Sequence, residues 1–244
     1  MNNTIPAVDK TVQLLEMLSG GAHTQSELSR TLEISMSSCY RILQTLLVHN
    51  WVEKNDSGVY TLSTGVLPLL KFFDRDLELL KKARSKVDEI CLKHHIACKI
   101  SLRRGNEQVT DHRAEPAGPV ALTGHSGSTF PLIEGSVGAA LLGDDSDEQI
   151  AEAVRNCHAP IPEKKDPGLL AAAIAEVRRK GCVLNLRKNR WNIAAFSIPL
   201  RDSSGKIFAA LTLIGNACDF EGAQREKWEQ ILKKAASDCG TIQF

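Results

Sequence analysis

Ser35-Met36-Ser37-Ser38-Cys39-Tyr40-Arg41-Ile42-Leu43-Gln44-Thr45-Leu46-Leu47 separates into two clean faces when it is wound as a helix. At about 100° per residue, Cys39, Ile42, Leu43, Leu46 and Leu47 fall on one arc, and Ser37, Ser38, Arg41, Gln44 and Thr45 on the opposite one. Ser35 supplies a hydroxyl N-cap, and the pattern carries on to about His49. A solvated helix face usually carries Lys and Glu. This one carries short hydroxyls, one amide and one guanidinium, groups that can lie close against a duplex and donate to phosphate and base-edge acceptors. An ordinary solvated face is the alternative on this feature alone.

Upstream, Thr24-Gln25-Ser26-Glu27 reads as a capping box, which opens a helix from Gln25 to about Leu32. Before that, Val8, Val12, Leu15 and Leu18 recur at helical spacing, and Gly20-Gly21 stops the pattern. Two short helices joined by a turn of a few residues have helix-turn-helix spacing. Downstream, Trp51-Val52-Glu53-Lys54, Asn55-Asp56-Ser57-Gly58 and Val59-Tyr60-Thr61-Leu62 read as strand, tight turn and strand. A hairpin directly after a helix-turn-helix is a wing.

With Val8 to Glu16, Ser35 to Leu46, Trp51-Val52-Glu53 and Tyr60-Thr61-Leu62 in hand, the sequence resembles the IclR family of bacterial transcriptional regulators. The resemblance implies an α+β protein: an N-terminal winged helix-turn-helix over residues 1–68, a linker helix starting at 69–76, and a C-terminal GAF-like mixed-sheet effector domain over 77–244. It implies double-stranded DNA with a palindromic operator as partner. Ser37, Ser38, Arg41, Gln44 and Thr45 would face the major groove, with Gln25, Ser35 and Tyr40 beside them and the wing residues Asn55 and Ser57 near the backbone. Charge argues the other way. Residues 1–75 hold six Lys and Arg against seven Asp and Glu, net −1, where a strongly DNA-philic domain would be basic. A winged domain that binds protein instead of DNA is the alternative, and Arg41, the one fixed cation on the outer face, discriminates the two.

Pro68 can stand only at a boundary or in the first turn of a helix. Beyond it Phe73, Leu77, Leu80, Ala83, Val87, Ile90, Cys91 and His94 repeat at three or four residues, a long helix. In the family such a helix joins the domains and contributes to dimer contacts, so the protein itself, as dimer or tetramer, is an expected partner. Two hairpins follow, 97–103 with 107–113 and 193–200 with 206–214. Helices interleave: Ser146 and Gln149 form a capping box, Asp166-Pro167 opens a helix that closes at Gly181 with Leu169, Leu170, Ala173, Ile174 and Val177 inward, and 222–239 is the last. Hairpins interleaved with helices suggest an antiparallel or mixed sheet, not a doubly wound one.

Phe130-Pro131-Leu132, Gly138-Ala139-Ala140-Leu141-Leu142, Val177 to Gly181, Ser197-Ile198-Pro199-Leu200-Arg201-Asp202 and Ala209 to Leu213 continue the resemblance, in order, into the family's effector-binding domain. That implies a pocket for a small organic molecule, often a carboxylic or aromatic acid, at Ser136, Val137, Ala195, Thr212 and Ile214. Helix-start amides and the Ser136 hydroxyl would suit a carboxylate. Two departures stand out. Many members have Gly-Lys where this chain has Gly138-Ala139, and acidic residues with a Gly where it has Leu186 to Asn192. Residues 178–190 carry six basic groups and no acid, either a solvated loop or an attractor for an anion.

Composition sets the outer bounds. The chain has 244 residues, 43% apolar and 24% charged, with net charge +1, which fits a globular protein and excludes a disordered chain or a histone-like polycation. Neither a membrane span nor a signal peptide is legible, so a cytoplasmic location is expected. Seven scattered cysteines without C-x-x-C read as reduced, buried thiols. Cys91-x-x-His94-His95-x-x-Cys98 has ligand spacing for zinc, though the same helix face is the core face. Gly124-His125-Ser126-Gly127-Ser128 approaches G-x-S-x-G but ends in Ser, and a Gly/Ser-rich loop fits it better than a hydrolase elbow. No catalytic residue and no cofactor is expected.

Overall fold

The structure is a computed structural model of the chain, and it describes residues 4–70, 74–118, 122–157, 167–185 and 192–240. It divides into two units, Met1–Asp74 and Arg75–Phe244.

In the first unit, α1 (Pro6–Gly20), α2 (Gln25–Thr31) and α3 (Met36–Val48) follow the sequence pattern closely. The capping box closes as expected: Glu27 N donates to Thr24 Oγ1 at 3.3 Å and Thr24 N to Glu27 Oε2 at 2.8 Å. Ser35 Oγ accepts from Ser38 N at 3.1 Å and opens α3. The turn between α2 and α3 puts Glu33 in the left-handed region at φ 52, and Ser29 seals it by donating to Ile34 O at 2.7 Å. Leu14, Leu28, Cys39 and Leu43 meet at a fully buried centre. Val52 and Tyr60 complete it from the wing, whose strands are β2 (Val52–Lys54) and β3 (Val59–Leu62). A two-residue strand β1 (His23–Thr24), not foreseen in the sequence, pairs with β3 to give the order β1-β3-β2. A short α4 (Leu67–Leu70) carries Pro68 in its first turn.

The second unit opens within the first turn of α5 (Asp74–His94), which His95 ends at φ 53. Six strands follow in one sheet: β4 (Ala97–Arg104), β5 (Glu107–Ala114), β6 (Thr129–Pro131), β7 (Val183–Asn185), β8 (Ile193–Arg201) and β9 (Ile207–Asn216), in the order β6-β5-β4-β9-β8-β7. Every pairing among the described residues is antiparallel, so the described sheet is not mixed; hairpin connections between β4 and β5 and between β8 and β9 require that direction.

Strand alternation gives the sheet two buried faces. On one, Cys98, Ile100, Phe196, Ile198, Leu200, Leu211 and Leu213 pack with Ala83, Val87 and Ile90 of α5 and with Trp228 and Leu232 of α9 (Ala223–Cys239). The C-terminal half of α5 therefore packs on its own domain. Over the other face lie α6 (Gly135–Leu141), α7 (Asp147–Arg155) and α8 (Pro167–Lys180), whose Val137, Ala140, Ala153, Leu170, Ile174 and Val177 form a second core with Leu132 and Ala210. Ser146 and Gln149 make the capping box of α7. Leu169 departs from expectation: it stands 52% exposed, one position off the buried stripe of Leu170, Ile174 and Val177. Asp166 lies outside the described residues.

Candidate functional sites

On α3 the sequence-derived faces hold. Cys39, Leu43 and Leu46 are buried, and Ser37, Ser38, Tyr40, Arg41 and Thr45 are exposed; Gln44 is half-buried. The DNA-facing candidates divide by what they already do. Ser35 Oγ is engaged as the cap and bonds Ser37 Oγ and Ser38 Oγ, both at 2.9 Å. Gln25 Nε2 donates to Met36 O at 3.0 Å, tying the start of α2 to the start of α3. Thr45 Oγ1 donates back to Arg41 O at 2.9 Å. Asn55 closes the wing turn, its Oδ1 accepting from Val59 N at 2.9 Å, while Ser57 is exposed at the tip. The Arg41 guanidinium is exposed and has no hydrogen bond or ion pair with any described residue. A groove of about 600 Å³ runs between α1 and α3, lined by Lys10, Thr11, Ser38, Arg41 and Thr45. Lys10 and Thr11, part of the Val8 to Glu16 stretch but not singled out as site residues, line it together with Arg41.

The effector-domain candidates come together on the sheet face that α6 covers. Ser136, Val137, Thr212 and Ile214 are buried and Ala195 is half-buried; Ala195 and Ile214 are register partners across β8 and β9. Ser197, quoted in the sequence but not singled out, joins them. Its Oγ donates to Ser136 Oγ at 2.8 Å and lies 2.8 Å from Thr212 Oγ1. A serine has one proton, so with that proton on Ser136 it is Thr212 that donates to Ser197. All three residues are at most 2% exposed, so the chain of hydroxyls binds α6 to the sheet. Gly138 sets how near α6 can come: a Cβ there would stand 2.0 Å from Leu132 O. Ser136 Oγ accepts from Ser197, so one side of the hydroxyl at the start of α6 is engaged with the sheet.

Further along this face stand groups that the sequence reading missed. Lys99, Ser101 and Thr110 are 6%, 1% and 1% exposed, and the Ser101 and Thr110 hydroxyls have no hydrogen-bond partner among the described residues. The available signal was a charged residue between Cys98 and Ile100 in an apolar strand. At the edge, Arg113 Nη1 donates to Thr123 Oγ1 and Glu115 Oε1, both at 3.1 Å. Burial pushes the Glu115 carboxyl up, but hydrogen bonds from Thr123 and the Arg113 charge outweigh it and hold the group below its ordinary value. Of the basic run, Arg178 donates to Gly143 O at 2.9 Å and Asp145 O at 2.6 Å, and Lys180 pairs with Glu176. Arg187, Lys188 and Arg190 lie outside the described residues.

The zinc spacing does not assemble a site. Cys91 and Cys98 are buried thiols that burial pushes up, and His94 turns its ring edge-on to Trp228 at 5.7 Å. His95 leaves the helix in the left-handed region and is exposed. Among the described residues no three His, Cys, Asp or Glu gather to hold a metal ion. Gly124 to Ser128 form a loop clipped to β5, with Gly127 N donating to Thr110 O at 2.7 Å, not a strand-to-helix elbow. Gly124 is small because a Cβ there would press on the Phe130 ring at 2.9 Å. Among the described residues no helix is long and apolar enough to cross a membrane.

Two family models match: the IclR helix-turn-helix domain over residues 7–56 and the bacterial transcriptional regulator IclR C-terminal domain over 74–241. The HTH-type transcriptional repressor AllR of Salmonella typhimurium is 21% identical over 241 residues, spanning 96% of this chain and 89% of the relative. The HTH-type transcriptional regulator XynR of Escherichia coli K12 is 20% identical, with 95% and 94% covered. Among solved structures, an IclR homologue from Microbacterium hydrocarbonoxydans complexed with 4-hydroxybenzoate superposes with TM-score 0.73 at 20% identity, covering 96% of this chain and 98% of the other. An IclR transcriptional regulator from Alicyclobacillus acidocaldarius gives 0.69 at 22% identity, with 97% and 98% covered. With one model on the winged unit and the other on most of the sheet unit, the chain belongs to the IclR family of bacterial transcriptional regulators.

Proposed function

We propose that this regulator reads a palindromic operator as a dimer or tetramer in the cytoplasm, and that a small organic acid bound in its effector domain switches the affinity. Residues 1–68 are the reading domain, 69–76 start the linker helix and 77–244 are the effector domain. The observation that carries the DNA reading is the outer face of α3: Ser37, Ser38, Tyr40 and Arg41 are exposed on a helix whose other face is anchored by the buried Cys39, Leu43 and Leu46. A guanidinium with no hydrogen bond or ion pair among the described residues is available for a phosphate or a guanine edge. The N-terminus of α3 adds orphan amides that favour a phosphate. Ser57 and Asn55 bring the wing to the backbone, and Gln25 and Ser35 hold the helix pair in its docking shape.

The effector reading is supported by the polar chain Ser136, Ser197 and Thr212 beside Val137, Ala195 and Ile214, and by the 4-hydroxybenzoate named in the Microbacterium homologue's structure. Two reading heads on a two-fold operator respond to a small change in their spacing, so a ligand that favours one spacing shifts affinity by its differential binding alone. No catalytic step is assigned to any residue. DNase footprinting of the purified chain on the DNA upstream of its coding sequence tests the reading. A protected tract with two-fold symmetry is expected; uniform cleavage at saturating protein would refute it.

A further inference from the structure

Lys99 is a cation in the wrong surroundings. It stands on β4 between Cys98 and Ile100, points to the face opposite theirs, and is 6% exposed. Among the described residues no acceptor lies within hydrogen-bond or ion-pair distance of its Nζ; its close neighbour is the Phe130 ring, 5.1 Å away at the centroid. Burial draws its pKa down, and Glu134 is near enough to oppose this only through space. An ammonium taken out of water without a hydrogen-bonded counterion is costly, and a fold that needed only packing would place an apolar residue there. The surroundings are polar as well. Lys99 is the register partner of Thr212, the end of the Ser136–Ser197–Thr212 chain. Two residues on, Ser101 faces Thr110 across the ladder, and both hydroxyls are buried without a hydrogen-bond partner among the described residues. A buried cation and two orphan hydroxyls on neighbouring rungs form an incomplete polar set, beside an aromatic wall.

We propose that Lys99 is the counterion of the effector, and that the effector is a small monocarboxylate whose apolar body lies along Phe130. This rests on the effector reading above and deepens it, by assigning the ligand's charge and the residue that selects it. A carboxylate on Nζ makes a charge-assisted hydrogen bond in a site where water is scarce, whereas the matching amide leaves the cation unpaired.

The test is calorimetric titration of the full chain with acetate, propionate, pyruvate and benzoate, each against its primary amide, and of the Lys99→Met variant, which keeps the stem and removes the charge. At least one acid is expected to bind the unaltered chain about 10- to 150-fold more tightly than its amide, the worth of one hydrogen bond to a charged group, and Lys99→Met is expected to abolish that preference. An acid preference that survives in Lys99→Met removes Lys99 and leaves the effector reading standing. Amides that bind as well as acids remove the anion. Titrations in which none of the eight compounds binds end both. The ligand-free variant supplies an independent reading: removing an unpaired buried charge is expected to keep or raise Tm, and a lowered Tm or failure to fold would make Lys99 structural and overturn the assignment.

Discussion

Arg41 and Lys99 are both cations without a hydrogen-bond or ion-pair partner among the described residues, and their surroundings give them opposite meanings. In water an unpaired guanidinium costs little, so Arg41 is free to be spent on a partner outside the chain. Arg41→Ala is expected to weaken operator binding by about 1–3 kcal/mol while leaving the urea midpoint unchanged, measured by anisotropy and by urea unfolding monitored by circular dichroism. Ser197 works the other way, inside the protein. Ser197→Ala strands the buried Ser136 and Thr212 hydroxyls and is expected to cost about 1–3 kcal/mol in urea unfolding; an unchanged midpoint would show that the hydroxyl chain carries no stability. The thiols test burial directly. Cys218 is exposed and the other six are buried, with Cys182 and Cys239 pushed up to about 11 by burial. A thiol whose pKa rises is less ionised at any pH below it, so iodoacetamide at about pH 8 is expected to label one cysteine in the native protein and all of them after denaturation.

Local chemistry made the elements legible. A capping box acts over three residues, so Thr24 with Glu27 and Ser146 with Gln149 could be read from spacing alone, and both close in the structure. The amphipathic α3 was legible for the same reason: its periodicity is a property of one segment. Strands β1, β6 and β7 are two or three residues long and exist because a distant strand offers its edge, which no local pattern records. The polar face of the large sheet was half legible. Ser136 and Thr212 came from the family resemblance, while Lys99, Ser101 and Thr110 needed the register that brings β5, β4 and β9 together. Gly138 shows how tightly that face is built. Gly138→Ala would drive a Cβ into Leu132 O and is expected to cost roughly 1–3 kcal/mol in urea unfolding, with α6 displaced and acid binding weakened. A Gly138→Ala protein of unchanged stability would mean that α6 shifts without cost.

At the scale of the molecule, the two units divide the work that the composition had blurred. Total charge of +1 conceals a first unit that is itself slightly acidic, net −2 over residues 1–74, five Lys and Arg against seven Asp and Glu. Bulk attraction to phosphate can therefore supply little of the affinity, and base-edge contacts have to supply the sequence preference. That sets the salt dependence: log affinity against log salt is expected to fall with a slope shallower than the value of about −10 reached by heavily phosphate-contacting repressors. Fluorescence anisotropy of the full chain on duplex from upstream of its own coding sequence, across salt and against unrelated duplex, measures affinity, preference and slope together. Saturable binding that prefers the upstream duplex and keeps its preference as salt rises is expected. Equal, weak binding to both duplexes, lost together as salt rises, would contradict the claim that α3 reads DNA.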